Sequence, residues 1–377
     1  MAPPRRRLPA KALEAAGFDL WLLAPVLLLC GVGLIMVLSA SSVLAENCYQ
    51  DAYYFFKKQC LSLGLGLGLM ALARFVKTSV LAVLVYPILF VCLGLLVMVL
   101  LPGVGSTVGG ATSWLRYGSF SLQPSELAKI GLCLYLAYSM AKKQDNMGRW
   151  SIGLAPHLIV AGAMIGLTVL QRDLGMSAIL CLLLVSILFL GGARLRHLLG
   201  LTAGAAASGA VMVLLAPYRV QRLVTFADPW VDPAGSSFQI IHSFLAFGSG
   251  GLFGTGLGQS HQKLGYLPEP HTDFIFAILG EEIGFLGILG VVTLFLLLAV
   301  RGFHWAAKAQ DPYRRYLASG LTLVIVVQAL VNMAVVLGLL PTTGVTLPFI
   351  SYGGSSLVAN LIAAGILLRL SVELKAS

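Results

Sequence analysis

The chain has 377 residues, of which 58% are hydrophobic and 11% charged. Soluble domains carry roughly 25% charged residues, so too little charge is present to cover a water-facing surface, and a polytopic membrane protein is implied. The apolar runs are continuous and do not alternate over about 10 residues, which argues against a transmembrane β-barrel. The formal charge of +10 forms no basic stripe on a soluble element, so nucleic acid is a poor partner.

Arg5, Arg6 and Arg7 precede an apolar run over 20–40. That run exceeds the roughly 7–15 residues of a signal-peptide core and reads as a retained first helix. Further runs cover 59–74, 78–101, 124–141, 151–170, 174–193, 198–216, 274–300, 317–340 and 352–370. The expected fold is all-α, with ten transmembrane helices. In the run over 59–74, Gly64 and Gly68 are spaced for close helix packing. With the N-terminus inside, most of the 25 Lys and Arg fall on the inner side, as the positive-inside rule requires. Both termini are then cytoplasmic, as tails over 1–18 and 372–377 flanking one domain over 19–371. A large extracytoplasmic loop over 217–273 joins helices 7 and 8. Loops this long usually carry function or are disordered. Its mix of Pro, Gly and aromatics favours order, with a surface helix over 238–247.

Ionisable groups in or beside spans point to function by default. Glu126 and Lys129 follow Pro124 at a helix start and, three apart, share a helical face. They suit an internal ion pair or a substrate contact. Asp173, in a short outer turn beside Arg172, suits a helix cap. Asp273 ends the segment Pro268 to Asp273 and stands at the outer mouth of the eighth span. Glu281 and Glu282 lie about 12 Å deeper at 1.5 Å per residue. Either Thr272 or Asp273 could cap that helix. The glycine-rich stretch over 248–258 lacks GxGxxG and a preceding strand, which argues against dinucleotide binding. Arg219, Arg222 and Lys263 add cations to the same loop. A carboxylate beside cations suits displacement of an anionic leaving group, the carboxylate taking a proton and the cations steadying phosphate oxygens. A transporter gate would use the same residues.

Four blocks carry a family resemblance: 114–129 (WLRYGSFSLQPSELAK), 239–258, 268–284 (PEPHTDFIFAILGEEIG) and 332–356 (NMAVVLGLLPTTGVTLPFISYGGSS). The sequence resembles the SEDS family, the RodA/FtsW/SpoVE glycosyltransferases of bacterial cell walls, and most resembles its FtsW division branch. The resemblance implies a peptidoglycan glycosyltransferase that polymerises lipid II on the extracytoplasmic face of the cytoplasmic membrane, at the division septum. Asp273 would be the general base for the acceptor GlcNAc 4-hydroxyl, and undecaprenyl pyrophosphate would leave. Arg116, Glu126, Lys129, Arg219, Arg222, Gln239, Ser243, Lys263, His271, Thr272 and Ser351 match polar family positions and become substrate-site candidates. Arg172 and His242 depart from the family wording. A divalent cation, Mg2+ or Mn2+, is implied, with ligands that the sequence does not identify. The implied partners are a class B penicillin-binding protein (an FtsI-like transpeptidase) and other divisome proteins. A lipid II flippase and a scaffold for that transpeptidase are the alternative readings.

Overall fold

The computed structural model describes residues 19–118, 120–214, 217–233, 235 and 237–376. The tail expected over 1–18 lies outside the described residues. Helices dominate: α1 (Leu20–Tyr49), α2 (Tyr54–Phe75), α3 (Thr78–Met98), α4 (Pro124–Lys142), α5 (Ala155–Leu170), α6 (Leu174–Leu190), α7 (Leu195–Leu214), α8 (Pro217–Ala227), α9 (Phe238–Gly250), α10 (Ile275–Lys308), α11 (Pro312–Val336) and α12 (Gly354–Ala376).

Among the described residues, seven helices are long and apolar enough to cross a membrane. They are α1, α3, α5 with the turn before it, α7, α10, α11 and α12. The other three expected spans are helical but fall short of that standard for local reasons. Glycine and terminal charge dilute α2, α4 carries Glu126, Lys129 and Lys142, and α6 has 17 residues. The glycine pair expected to pack in α2 does not do so, and the glycine between them does. A side chain at Gly66 would strike Leu361 on α12, whereas Gly64 and Gly68 face open space.

The all-helical expectation also missed a small antiparallel sheet, in the order β1 (Gly105–Val108), β2 (Ala111–Tyr117), β3 (Phe120–Leu122). Gly109 and Gly110 both take positive φ, 57° and 85°. A two-residue hairpin of this twist needs that conformation, which glycine adopts without a Cβ clash. The sheet lies over the N-terminal end of α4. Thr112 N–H donates to Gln171 O at 2.9 Å.

The bundle centre is α4, buried over most of its length, with α11 and α12, which are 72% and 67% buried over their apolar windows, while α7 sits at the edge with 6% buried. Asp173 caps α6, accepting from Met176 N–H at 3.1 Å, as its position in the turn leads one to expect.

The loop over 251–267 is a strap folded against α10. Helix α10 breaks at Gly284, with φ 65° and ψ −169°. An unbroken helix would pair Phe285 N–H with Glu281 O, and Leu286 N–H with Glu282 O. Here Phe285 and Leu286 N–H donate instead to Gly251 O and Leu252 O at 2.9 and 3.2 Å. Glu281 O and Glu282 O accept from Thr255 and Gly256 N–H at 2.9 and 3.0 Å. All four main-chain groups freed by the break are thus satisfied by the strap, as burial in a membrane protein demands. The Glu281 side chain accepts from Ser260 Oγ and from His261 N–H at 3.0 Å, and the Glu282 side chain pairs with Lys263 Nζ at 3.0 Å. Both acids that interrupt the apolar run fasten the strap. Gly284→Ala should lower the thermal unfolding temperature. The left-handed backbone alone costs a non-glycine residue about 1–3 kcal/mol, and the added Cβ would press on Leu252 O and Phe253 C, both 2.7 Å away. A melt unchanged from wild type would mean that the break relaxes freely.

Candidate functional site

Asp273 lies in the turn that ends the strap, just before α10. That helix starts after Phe274 with no side-chain cap, so neither Thr272 nor Asp273 serves the helix end. Thr272 Oγ1 donates to Asp273 Oδ1 at 2.7 Å. Asn332 Nδ2, near the end of α11, donates to Asp273 O at 2.8 Å and to Val345 O at 2.7 Å. This fixes the Asp273 main chain against the loop that follows α11. On that loop Gly344 leaves room, since a Cβ there would lie 4.0 Å from Asp273 Oδ2. Burial pushes the Asp273 carboxyl above its ordinary value, while the Thr272 hydrogen bond and the charge of Arg222 pull the other way. Arg222, exposed on α8, has Nη1 3.5 Å from Thr342 O on the same loop. The Arg219 side chain lies outside the described residues.

Glu269 shares the mouth. Its side chain is 65% exposed, and its carboxyl is raised by partial desolvation and then by the charge of Asp273. His271, 2% exposed, packs on Phe55 and Tyr352 with ring centroids 4.4 and 5.5 Å away. Burial holds its pKa at about 4, so the ring is neutral at pH 7. Its carbonyl accepts from Tyr352 N–H at 2.9 Å.

A second polar cluster lies in the bundle centre. Lys129 Nζ is 2.6 Å from Glu126 Oε2, both buried, which is the pair their spacing predicts. Lys129 also donates to Gln328 Oε1 on α11. Gln328 Nε2 donates to Thr346 O at 3.0 Å and to Ser356 Oγ at 3.2 Å. Gln123, just before α4, donates through Nε2 to Asp173 Oδ2 at 3.1 Å. Gln328 and Asn332 are four apart on α11 and grip the adjacent loop residues Thr346 and Val345. These two amides join the Lys129 cluster to Asp273. Sequence reasoning passed over both as site residues, although polar side chains at helical spacing in an apolar run are the signal that finds them.

The remaining candidates divide. Ser243 is buried on α9 and donates to Val336 O at 2.7 Å. Gln239, on the same helix, is half-buried. Ser351 Oγ accepts from Leu347 N–H at 2.8 Å within the loop facing Asp273. Lys263 is not directed at Asp273 by any hydrogen bond or ion pair among the described residues. Its Nζ is held by Glu282 and by Ser39 Oγ, each at 3.0 Å. Arg116 is exposed on β2, where Ser121 faces it across the sheet. A separate cavity of about 340 Å³ lies among α5, α6 and α7, with Leu158, Ile165, Leu184, Gly204 and Ser208 in its walls and none of the candidates.

Among the described residues, no three His, Cys, Asp or Glu converge as a metal cage. Asp273 and Glu269 are neighbouring carboxyls and would supply part of a coordination shell only.

The cell cycle protein family of FtsW, RodA and SpoVE matches residues 20–376. A probable peptidoglycan glycosyltransferase FtsW of Geobacter metallireducens is 43% identical over 362 residues, covering 96% of each chain. Stage V sporulation protein E of Bacillus subtilis is 43% identical over 353 residues, covering 94% of this chain and 96% of its own. In three dimensions, rod shape determining protein RodA of Thermus thermophilus matches with a TM-score of 0.70 at 31% identity, covering 94% of this chain and 96% of its own. One chain of a peptidoglycan synthase complex that coordinates polymerization and crosslinking matches with a TM-score of 0.78 at 31% identity, covering 96% of this chain and 99% of its own. On its helical fold, its sequence and the span of both matches, the chain belongs to the FtsW/RodA/SpoVE family of cell cycle proteins, also called SEDS, and to its FtsW branch.

Proposed function

We propose that the chain is a peptidoglycan glycosyltransferase that polymerises lipid II on the outer face of the cytoplasmic membrane, at the division septum, with Asp273 as general base. The observation that carries the reading is the Asp273 carboxylate. It lies at the mouth of the bundle, serves no helix cap, and enters no salt bridge among the described residues. The acceptor GlcNAc 4-hydroxyl attacks the donor's anomeric carbon. The new carbon–oxygen bond forms as the bond to the pyrophosphate oxygen breaks, and the configuration inverts. The hydroxyl proton passes to Asp273, and undecaprenyl pyrophosphate departs. A carboxylate of pKa about 4 is a weak base, and burial makes Asp273 a stronger one. Arg222, whose charge reaches Asp273, would steady the leaving phosphates, and Arg219 is proposed for the same role. With so few protein donors, an Mg2+ or Mn2+ ion would take most of its ligands from the substrate, and no step here is routed through it.

In this reading α2, α4 and α6 cross the bilayer with the seven longer apolar helices, and both termini are cytoplasmic. The similar chain within a peptidoglycan synthase complex supports an FtsI-like class B penicillin-binding protein as the partner, with other divisome proteins around it. The test is to purify the chain with its transpeptidase and supply labelled lipid II with Mg2+. Glycan polymer should appear on a gel with wild type and not with Asp273→Asn, while the variant still binds the partner. Polymer at wild-type yield from the variant would reject Asp273 as the base. Lipid movement across vesicles without polymer would favour the flippase.

A further inference from the structure

Asp273 is held both by its own turn and from a distant helix. Within the turn, Thr272 Oγ1 donates to Asp273 Oδ1 at 2.7 Å and to Glu269 O at 3.0 Å. These bonds travel with Asp273 and do not refer it to the rest of the molecule. The carbonyl of Asp273 does so. A regular α-helix would direct Ala277 N–H to Asp273 O. Here Ala277 N–H donates to Phe274 O at 3.0 Å, which leaves Asp273 O to Asn332 Nδ2, 59 positions along the chain and 2.8 Å away. The same nitrogen donates to Val345 O at 2.7 Å. A primary amide carries two N–H donors on one nitrogen, so one side chain ties the segment that bears the carboxylate to the loop after α11. Asn332 is 1% exposed. Gln328, one turn earlier, donates to Thr346 O at 3.0 Å and to Thr346 Oγ1 at 3.2 Å. The loop is thus fastened to α11 at two consecutive residues.

We infer that Asn332 is a positioning residue for polymerisation: it sets the spacing between the Asp273 carboxylate and the loop over 343–346, and with it the room in which the acceptor hydroxyl meets its base. The inference rests on the reading of Asp273 as that base. Gly344, the residue before Val345, stands beside the carboxylate, since a Cβ there would lie 4.0 Å from Asp273 Oδ2. Holding Val345 O therefore fixes what borders the carboxylate, and holding Asp273 O fixes the root of the carboxylate itself. Both are measured from one nitrogen on α11, a helix at the bundle centre. A general base must come within about 2.6–3.2 Å of the atom whose proton it removes, and a misplacement of about 1 Å can cost roughly 10²-fold in rate. Asn332 touches neither the carboxylate nor, in this reading, the substrate, so it acts through Asp273 alone.

The test uses the full chain with its transpeptidase, labelled lipid II and Mg2+, with kcat and KM for lipid II measured separately. Asn332→Leu nearly keeps the volume and removes both donors. It should lower kcat about 10²-fold, the cost of such a misplacement, and leave KM within about twofold. Asn332→Ser, too short to bridge both carbonyls, should do the same and replaces the leucine variant if that one does not fold. Thr322→Val is the comparison on the same helix. Thr322 Oγ1 is buried and donates to Ala318 O at 2.8 Å, and its loss should leave kcat at the wild-type value. Adding Asn332→Leu to Asp273→Asn should lower the residual rate no further, because residues that act as a unit are not additive. Wild-type kcat from a folded Asn332 variant overturns the proposal. A raised KM at unchanged kcat also overturns it and makes Asn332 a substrate contact. So does a further tenfold loss in the Asp273→Asn background, or failure of both Asn332 variants to fold, either of which makes its role structural. Wild-type polymer from Asp273→Asn alone is a different failure, that of the base assignment on which the inference rests.

Discussion

Asp273→Asn is expected to reduce glycan polymerisation by roughly 10²–10⁴-fold, the range that a positioned general base contributes. Asparagine still offers an oxygen to Thr272 Oγ1, so the local geometry is preserved while the proton acceptor is removed. In the wild type, the rate should climb with pH through the elevated carboxyl value and level off above it, because the base acts deprotonated. Stability should move in the opposite sense. A carboxyl raised by burial holds its proton more tightly folded than unfolded. Folded stability is therefore lost as pH rises from the unfolded value of about 3.9 through the raised folded one, and stays lower above it. The asparagine variant carries no such charge, so at neutral pH it should melt no lower than wild type. Loss of activity together with a fall of several degrees in melting temperature would make Asp273 a structural residue and sink its catalytic role.

Breaking the strap's ion pair is the second large effect. Glu282→Ala strands the Lys263 ammonium, whose side chain is 6% exposed. Removing one partner of a buried pair typically costs about 3–5 kcal/mol, a large share of the roughly 5–15 kcal/mol by which a native protein is stable. Replacing both charges by apolar groups of similar size is often neutral. Lys263→Met with Glu282→Leu should therefore recover thermal stability and, with the strap again in place before Asp273, polymerisation. A double variant that melts like wild type yet makes no polymer would instead identify Lys263 as a substrate contact.

Much of this architecture is legible in sequence because it is local. Apolar runs mark the helices, Pro124 marks the start of α4, the spacing of Glu126 and Lys129 predicts their contact, and Asp173 caps the helix it precedes. What escapes is set by partners distant in sequence. Nothing near Glu282 announces Ser39, 243 positions away, and a buried lysine in a glycine-rich loop reads as a free cation until its partner is seen. The three-stranded sheet hides because its strands are short, at 4, 7 and 3 residues, too few for alternation to stand out. Gln328 and Asn332 are overlooked because neither is ionisable, though their carboxamides join the Lys129 cluster to the carboxylate at the mouth.

The break in α10 bears on mutational latitude. The strap is attached at Thr255, Gly256, His261 and Gln262 through peptide N–H groups, which every residue but proline supplies. Its outward side chains, among them Leu252, Phe253 and Leu257, are thereby released from the task of attachment. Evolution can vary them to suit a new neighbour without disturbing the segment that presents Asp273.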